Sequence, residues 1–191
     1  MEIKVFAVRI GNRYGPEFED YLKQKIPNIS FIRENADGLW YQWNKLRFFN
    51  LDLDEPVCVI DIDITLHNDY MDMFNYPVNR GELLTLRQHW DPNAKSELNG
   101  GFYKFYPKDT RYIYERMMSN PRHWMYYFIK NGIKPGPFNG EENFVEMVAK
   151  ERLDIKYIPD AWCNRNKKAD LNDKNLRLIH YTGLANYVMH S

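Results

Sequence analysis

Cysteine is almost absent: Cys58 and Cys163 are the only two in 191 residues. Two thiols cannot form the disulfide framework that holds small secreted domains together. Cys58 falls in an apolar run, where a buried free thiol is common. Net charge is also missing. Lys+Arg and Asp+Glu each total 26, so the formal net charge is zero. A protein built mainly to hold a nucleic-acid backbone carries a basic excess, so no nucleic-acid partner is expected. No long apolar span and no signal peptide occur, and Met1-Glu2-Ile3-Lys4 opens directly into a strand. A soluble, cytoplasmic protein without a membrane span is therefore expected. Internal repeats, low-complexity tracts and interdomain linkers are lacking too. Residues 1–191 read as a single domain, either alone or as one domain of a longer protein.

The chain is 44% hydrophobic and 27% charged, which suits a globular core rather than disorder. Aromatic residues reach 16%. Such rings serve sugar and nucleotide sites, but ordinary cores account for most of them.

The organising stretch is Val57-Cys58-Val59-Ile60-Asp61-Ile62-Asp63-Ile64-Thr65-Leu66. It reads as a buried central strand carrying two aspartates one residue apart. Strand alternation sends Asp61 and Asp63 to the same side and Ile62 to the other. Two like charges at a buried strand's end invite a divalent cation. Read alone, the pair is equally compatible with a solvated acidic turn.

Ahead of it, Ile3 to Ile10 reads as a strand and Gly11 to Pro16 as a turn-rich loop. A helix starts at Pro16 and is closed by Pro27, and Ile29 to Ile32 is a second strand. This β-loop-α-β start predicts an α/β sheet that binds ligands at strand carboxyl ends. The loop has neither Rossmann nor P-loop spacing. Leu39, Trp43, Leu46 and Phe49 suit one helix face, which leaves Lys45 and Arg47 pointing elsewhere. Glu82 to Arg87 reads as a strand. Leu98 to Tyr106 reads as a tight glycine turn entering a strand, where Gly100 and Gly101 either let a ligand or another backbone approach or mark a simple bulge. Helices are expected over Asp109–Met118, from Pro121 to Asn131 and over Glu141–Lys150, with a loop across Lys134–Gly140. Short strands are expected at Ile155–Ile158 and Leu176–Tyr181, with a polar, mobile stretch at Asn164–Lys174 between them.

Six pieces occur in an order that resembles the small metal-dependent nucleotide-sugar glycosyltransferases of the GT-A fold, including the glycogenin-like branch and compact viral and bacterial enzymes. Val8-Arg9-Ile10-Gly11-Asn12-Arg13-Tyr14 resembles that group's first strand and nucleotide loop. Trp43-Asn44-Lys45-Leu46 resembles its lysine-bearing helix, and Asp61-Ile62-Asp63 its Asp-x-Asp motif. Asn99-Gly100-Gly101 resembles its turn near the donor sugar, Gly140-Glu141-Glu142 its Gly-Asp-Gln step, and His180-Tyr181-Thr182-Gly183 its late His-x-x-Gly motif. Two departures stand out: Leu184-Ala185-Asn186 lacks the lysine that follows in that pattern, and Glu141-Glu142 replaces Asp-Gln.

The resemblance implies a Rossmann-like α/β domain with a mixed, mostly parallel sheet flanked by helices. It implies sugar transfer from a nucleoside-diphosphate sugar, UDP-sugar first, to a hydroxyl of a glycan or glycoprotein. It places Mn²⁺ (or Mg²⁺) on Asp61, Asp63 and His180, with the ion bridging the diphosphate. Lys45, Asp63, Glu141 and Glu142 become candidate catalytic residues. Val8, Arg9, Gly11, Tyr14, Lys45, Asp61, Ile62, Arg87, Asn99, Gly100 and Gly183 become candidate donor contacts. For an inverting reaction, Asp91, Glu97, Glu141 and Glu142 all remain candidate bases. Two alternatives stay open. Asp61-Ile62-Asp63-Ile64-Thr65 also matches the first motif of haloacid-dehalogenase phosphohydrolases, with Asp61 as nucleophile. The chain could equally be a catalytically silent nucleotide-sugar-binding module.

Overall fold

The protein is described from a computed structural model over residues 3–181. The first strand, β1 (Lys4–Val8), runs through the Gly11 loop into helix α1 (Pro16–Lys25). Pro16 opens α1, Glu17 and Glu19 lie in its first turn, and Lys23 and Lys25 lie in its last. That polarity complements the helix dipole. Strand β2 (Ser30–Ile32) then pairs in parallel with β1, whose other edge takes β3 (Val57–Ile60), also parallel.

Between β2 and β3 the chain forms a 3₁₀ segment, Tyr41–Asn50. With three residues per turn, Trp43, Leu46 and Phe49 fall on one ridge, and all three are fully buried. The same spacing puts Lys45 on a second ridge with Phe48, which is buried as well.

The apolar run from Val57 is two strands rather than one. After Ile60 the chain bends, and it resumes as β4 (Ile64–Leu66) in a different sheet. The Asp61 N–H donates to the Gly101 carbonyl at 3.1 Å, and the Asp63 carbonyl accepts from the Tyr181 N–H at 3.0 Å. A carboxylate is costly inside a sheet buried on both faces, and the bend brings both side chains out at the strand's end.

The short helix α2 (Met71–Asn75) precedes β5 (Glu82–Arg87) and β6 (Leu98–Phe105). The large sheet is completed by β7 (Asp154–Tyr157), in the order β2-β1-β3-β6-β5-β7. Only β6 runs antiparallel to its neighbours, and all eight of its residues are buried. Gly100 and Gly101 therefore lie within a strand, not in a turn before one. Opposite them the register with β5 jumps from Thr85–Tyr103 to Leu86–Asn99. The Thr85 hydroxyl donates to the Asn99 and Phe102 carbonyls at 3.0 and 2.9 Å, which fixes this bulge.

Helices α3 (Pro107–Ser119), α4 (Pro121–Lys130) and α5 (Glu141–Ala149) follow in sequence. One face of the sheet, through Val57, Val59, Tyr103 and Phe105, packs on the 3₁₀ segment and these helices. The other face, through Cys58, Ile60 and Phe102, packs on α1, α2 and β4. A second sheet joins β4 to β9 (Leu178–His180), which pairs in parallel with β8 (Cys163–Arg165). Strand β8 falls at the start of the stretch that its polarity marks as mobile. Among the described residues, no helix is long and apolar enough to cross a membrane.

Candidate active site

The carboxyl ends of β1 and β3 open into a cleft of about 760 Å³. The loop after β1, the 3₁₀ segment, the Asp61–Asp63 bend, Gly100, the start of α5 and the end of β9 contribute its walls. Ligands of open α/β sheets bind at such a place.

Asp61 and Asp63 both face the cleft, and β9 brings His180 to them across 117 residues of chain. His180 Nε2 lies 3.3 Å from Asp61 Oδ2 and 3.7 Å from Asp63 Oδ1. One ligand atom from each of the three residues lies within 4.8 Å of the others. Two carboxylate oxygens and an imidazole nitrogen form a donor set that suits Mn²⁺; Mg²⁺ favours oxygen alone. The residues present therefore fit a divalent cation. Burial opposes the charge on Asp61, but Lys45 and His180 outweigh it and hold the carboxyl well below the usual range. Burial likewise opposes charge on His180, yet hydrogen bonds to the two aspartates push it up to about 9.

Lys45 is buried, contrary to its placement by helical periodicity. Its ammonium lies 2.9 Å from Asp61, 3.0 Å from Glu141 and 3.0 Å from the Gly100 carbonyl. Burial favours the neutral amine, but the two carboxylates win and keep it charged. Glu141 shows the opposite balance: burial lifts it to about 7 despite Lys45. Gly100 is what permits this cluster. A Cβ there would stand 3.0 Å from Lys45 Nζ, 3.1 Å from Glu141 Oε2 and 3.1 Å from the Tyr103 hydroxyl. The glycines thus admit side chains rather than backbone. Tyr14 donates to Asp63 Oδ2 at 2.8 Å, and burial together with that carboxylate pushes its phenol upward.

Val8, Tyr14, Lys45, Asp61, Ile62, Asp63, Gly100, Glu141, Glu142 and His180 all line the cleft. Arg9 does not; it is held by Glu19 and donates to the Tyr14 carbonyl. Gly11 lies just behind the wall, close enough that a Cβ would approach the Tyr41 ring to 2.9 Å. The Asn99 amide oxygen accepts from the Gly101 N–H at 3.0 Å within the bulge. Arg87 sits apart, over the Tyr157 ring and near Glu97 and Asp160. Gly183 lies outside the described residues.

Asn12 and Arg13, within the stretch that resembles a nucleotide loop, also line the cleft, and sequence reasoning missed Tyr41, Gln42, Lys134, Phe138, Asn139 and Arg165. The Lys134–Gly140 loop is pinned onto the cleft by Trp43 Nε1 donating to the Pro137 carbonyl at 2.8 Å, and by Lys134 bonding Glu142 at 2.8 Å. The only signals were its glycines and prolines, which mark a loop without saying what it covers.

The order of strands and helices matches the GT-A fold of solved glycosyltransferases. Among solved structures the chain is similar to the glycosyltransferase GlyE of Streptococcus pneumoniae TIGR4, at 13% identity and a TM-score of 0.59 over 96% of this chain and 55% of that one. The galactosyltransferase LgtC, solved with donor and acceptor sugar analogs, aligns at 10% identity and a TM-score of 0.61, over 95% and 87% of the two chains. The bifunctional glycosyltransferase WbbM aligns at 12% and 0.55, over 95% and 46%. The chain spans about half the length of GlyE. At these identities the likeness is one of fold. No protein-family profile matches the chain, and no curated protein matches it by sequence. The haloacid-dehalogenase alternative is not favoured: the solved neighbours are glycosyltransferases, and a β-α-β unit precedes the Asp61 strand.

Proposed function

We propose that this protein transfers a sugar from a nucleoside-diphosphate sugar, UDP-sugar foremost, to a hydroxyl of a glycan or glycoprotein acceptor. The observation that carries the reading is the convergence of Asp61, Asp63 and His180 on one side of the cleft in this fold. Those three residues would hold a divalent cation, Mn²⁺ or Mg²⁺. When bound, the ion supplies positive charge against the diphosphate that leaves as the sugar–oxygen bond breaks.

The chain's own side chains orient the rest. Lys45 fixes one oxygen of Asp61 at 2.9 Å, and Tyr14 fixes one oxygen of Asp63 at 2.8 Å. Each carboxylate thus keeps its other oxygen for a ligand, held without rotational freedom. Val8, Tyr14 and Ile62 border the nucleoside. Gly100, Glu141 and Glu142 border the sugar, where carboxylates accept hydrogen bonds from its hydroxyls. The Lys134–Gly140 loop forms part of the cleft wall and would keep water from the donor.

The test is nucleotide release from a panel of UDP-glucose, UDP-galactose, UDP-N-acetylglucosamine and GDP-mannose, with Mn²⁺ and with chelator. At least one donor should turn over with Mn²⁺ only, and Asp63→Asn should lower that rate by about 100-fold or more. Tight binding of a donor without release would make the chain a binding module instead.

A further inference from the structure

Besides His180, four cations line the cleft: Arg13, Lys45, Lys134 and Arg165. Lys45 is neutralised by Asp61 and Glu141, and Lys134 by Glu142. Arg13 lies over the Tyr14 ring at 5.3 Å. Arg13 and Arg165 alike lack a carboxylate partner among the described residues, and what sets Arg165 apart is a buried donor nitrogen. Its Nε is without a hydrogen-bond partner.

Its position follows from the small sheet. Strand β8 runs parallel to β9 with Arg165 in register with His180, so the two residues share a face, and both line the cleft. The register thus puts Arg165 beside His180 at the end of the small sheet, on the wall of the same cleft. A buried guanidinium donor left without an acceptor is costly, and native structures seldom keep one without a reason.

Charge balance supplies the reason. A divalent cation held by two carboxylates has no net charge left for a diphosphate that brings two or more negative charges. Lys45 and Lys134 already have carboxylate partners, which leaves the two arginines, and of these only Arg165 has a donor buried without an acceptor. The guanidinium fork matches two phosphate oxygens and cannot lose its proton.

We propose that Arg165 is the residue of this chain that anchors the diphosphate, donating from Nε and one terminal nitrogen to phosphate oxygens. The assignment rests on the nucleotide-sugar reading above. It is tested by calorimetry with Mn²⁺ present, using whichever of UDP, GDP, CDP and dTDP binds the wild type best, alongside its parent nucleoside. Arg165→Gln should weaken the diphosphate by about 10- to 100-fold and leave the nucleoside unchanged, with Arg165→Lys in between. Affinity for Mn²⁺ alone, read by electron paramagnetic resonance, should not move. Equal diphosphate affinity in wild type and Arg165→Gln would overturn the assignment and leave the proposed function standing. An equal loss for Mn²⁺ alone would also overturn it, because Arg165 would then act only by positioning His180. If the wild type bound none of the four diphosphates, both readings would fall.

Discussion

Lys45 carries its charge where almost no water reaches it. The ammonium is held by Asp61, Glu141 and the Gly100 carbonyl, and its side chain is 3% exposed. Such a cluster is favourable only while complete, because removing one partner strands the others. Lys45→Met should therefore cost about 3–5 kcal/mol in urea unfolding at pH 7. Glu141 is the partner nearest to neutrality, since burial already lifts it to about 7. Adding Glu141→Gln should recover about 1–2 kcal/mol of that loss, as the neutral amide strands no charge. A double variant less stable than Lys45→Met would show that Glu141 is held by other contacts. At this scale the sequence was informative where chemistry restricts the choice of residue. Asp61 and Asp63 stood out as a carboxylate pair at a buried strand's end, although a solvated turn fitted them equally, and His180 was picked out by resemblance. Lys45 could be picked out only by resemblance, because a helical period of 3.6 turns it away from the core and the actual period of three turns it inward. Arg165 carried no signal at all, lying in a polar stretch whose short strand is set by pairing with β9.

Among the elements, α1 and the first two strands are joined through one carboxylate. Glu19 is buried in α1 and receives Arg9 from the end of β1, Arg33 from beyond β2 and Lys23 from its own next turn. Burial disfavours its charge, but hydrogen bonds from Arg33, Arg9 and Lys23 outweigh that and hold it down to about 2. The folded pKa thus lies below the unfolded one, so the contribution is fully present above about pH 4.5 and fades as pH falls toward 2. Its size is on the order of 3 kcal/mol. Urea unfolding of wild type and Glu19→Gln should differ by about that much at pH 7, and the gap should narrow steadily below pH 4.5. A gap that does not depend on pH would mean that Glu19 acts through packing alone. Helix α1 itself was legible, from Pro16 and its charge polarity, but the cation cluster on Glu19 was not, since its members lie on three different elements. The run from Val57 to Leu66 was legible as buried strand, yet its break was hidden. Nothing local separates Ile60-Asp61 from a continuing strand, and the break is made by the distant partners Gly101 and Tyr181.

For the whole molecule, the cleft is a device for joining parts that are far apart in the chain. Its walls come from the loop after β1, the 3₁₀ segment, the break after β3, the bulge in β6, the start of α5, and the paired ends of β8 and β9. The order of strands and helices, and hence the α/β class, could be read from apolar periodicity and from glycine and proline positions. The second sheet could not, because β4, β8 and β9 have three residues each and are set by pairing across the chain and by packing on the large sheet. A ligand that touches all these walls binds the folded state and not the unfolded chain, so it must raise stability by mass action. With Mn²⁺ saturating and a nucleoside diphosphate at 100 times its dissociation constant, the gain is about 2.7 kcal/mol. For a chain of this length that raises the melting temperature by about 5–10 °C. Mn²⁺ alone should give a smaller shift, and the nucleotide with chelator almost none, because the ion and the diphosphate each supply charge the other needs. Asp63→Asn should abolish the joint shift and leave the ligand-free melting temperature within a few degrees of wild type. A full shift from Mn²⁺ alone would instead identify the three-residue cluster as a structural metal centre, with the cleft beside it serving some other ligand.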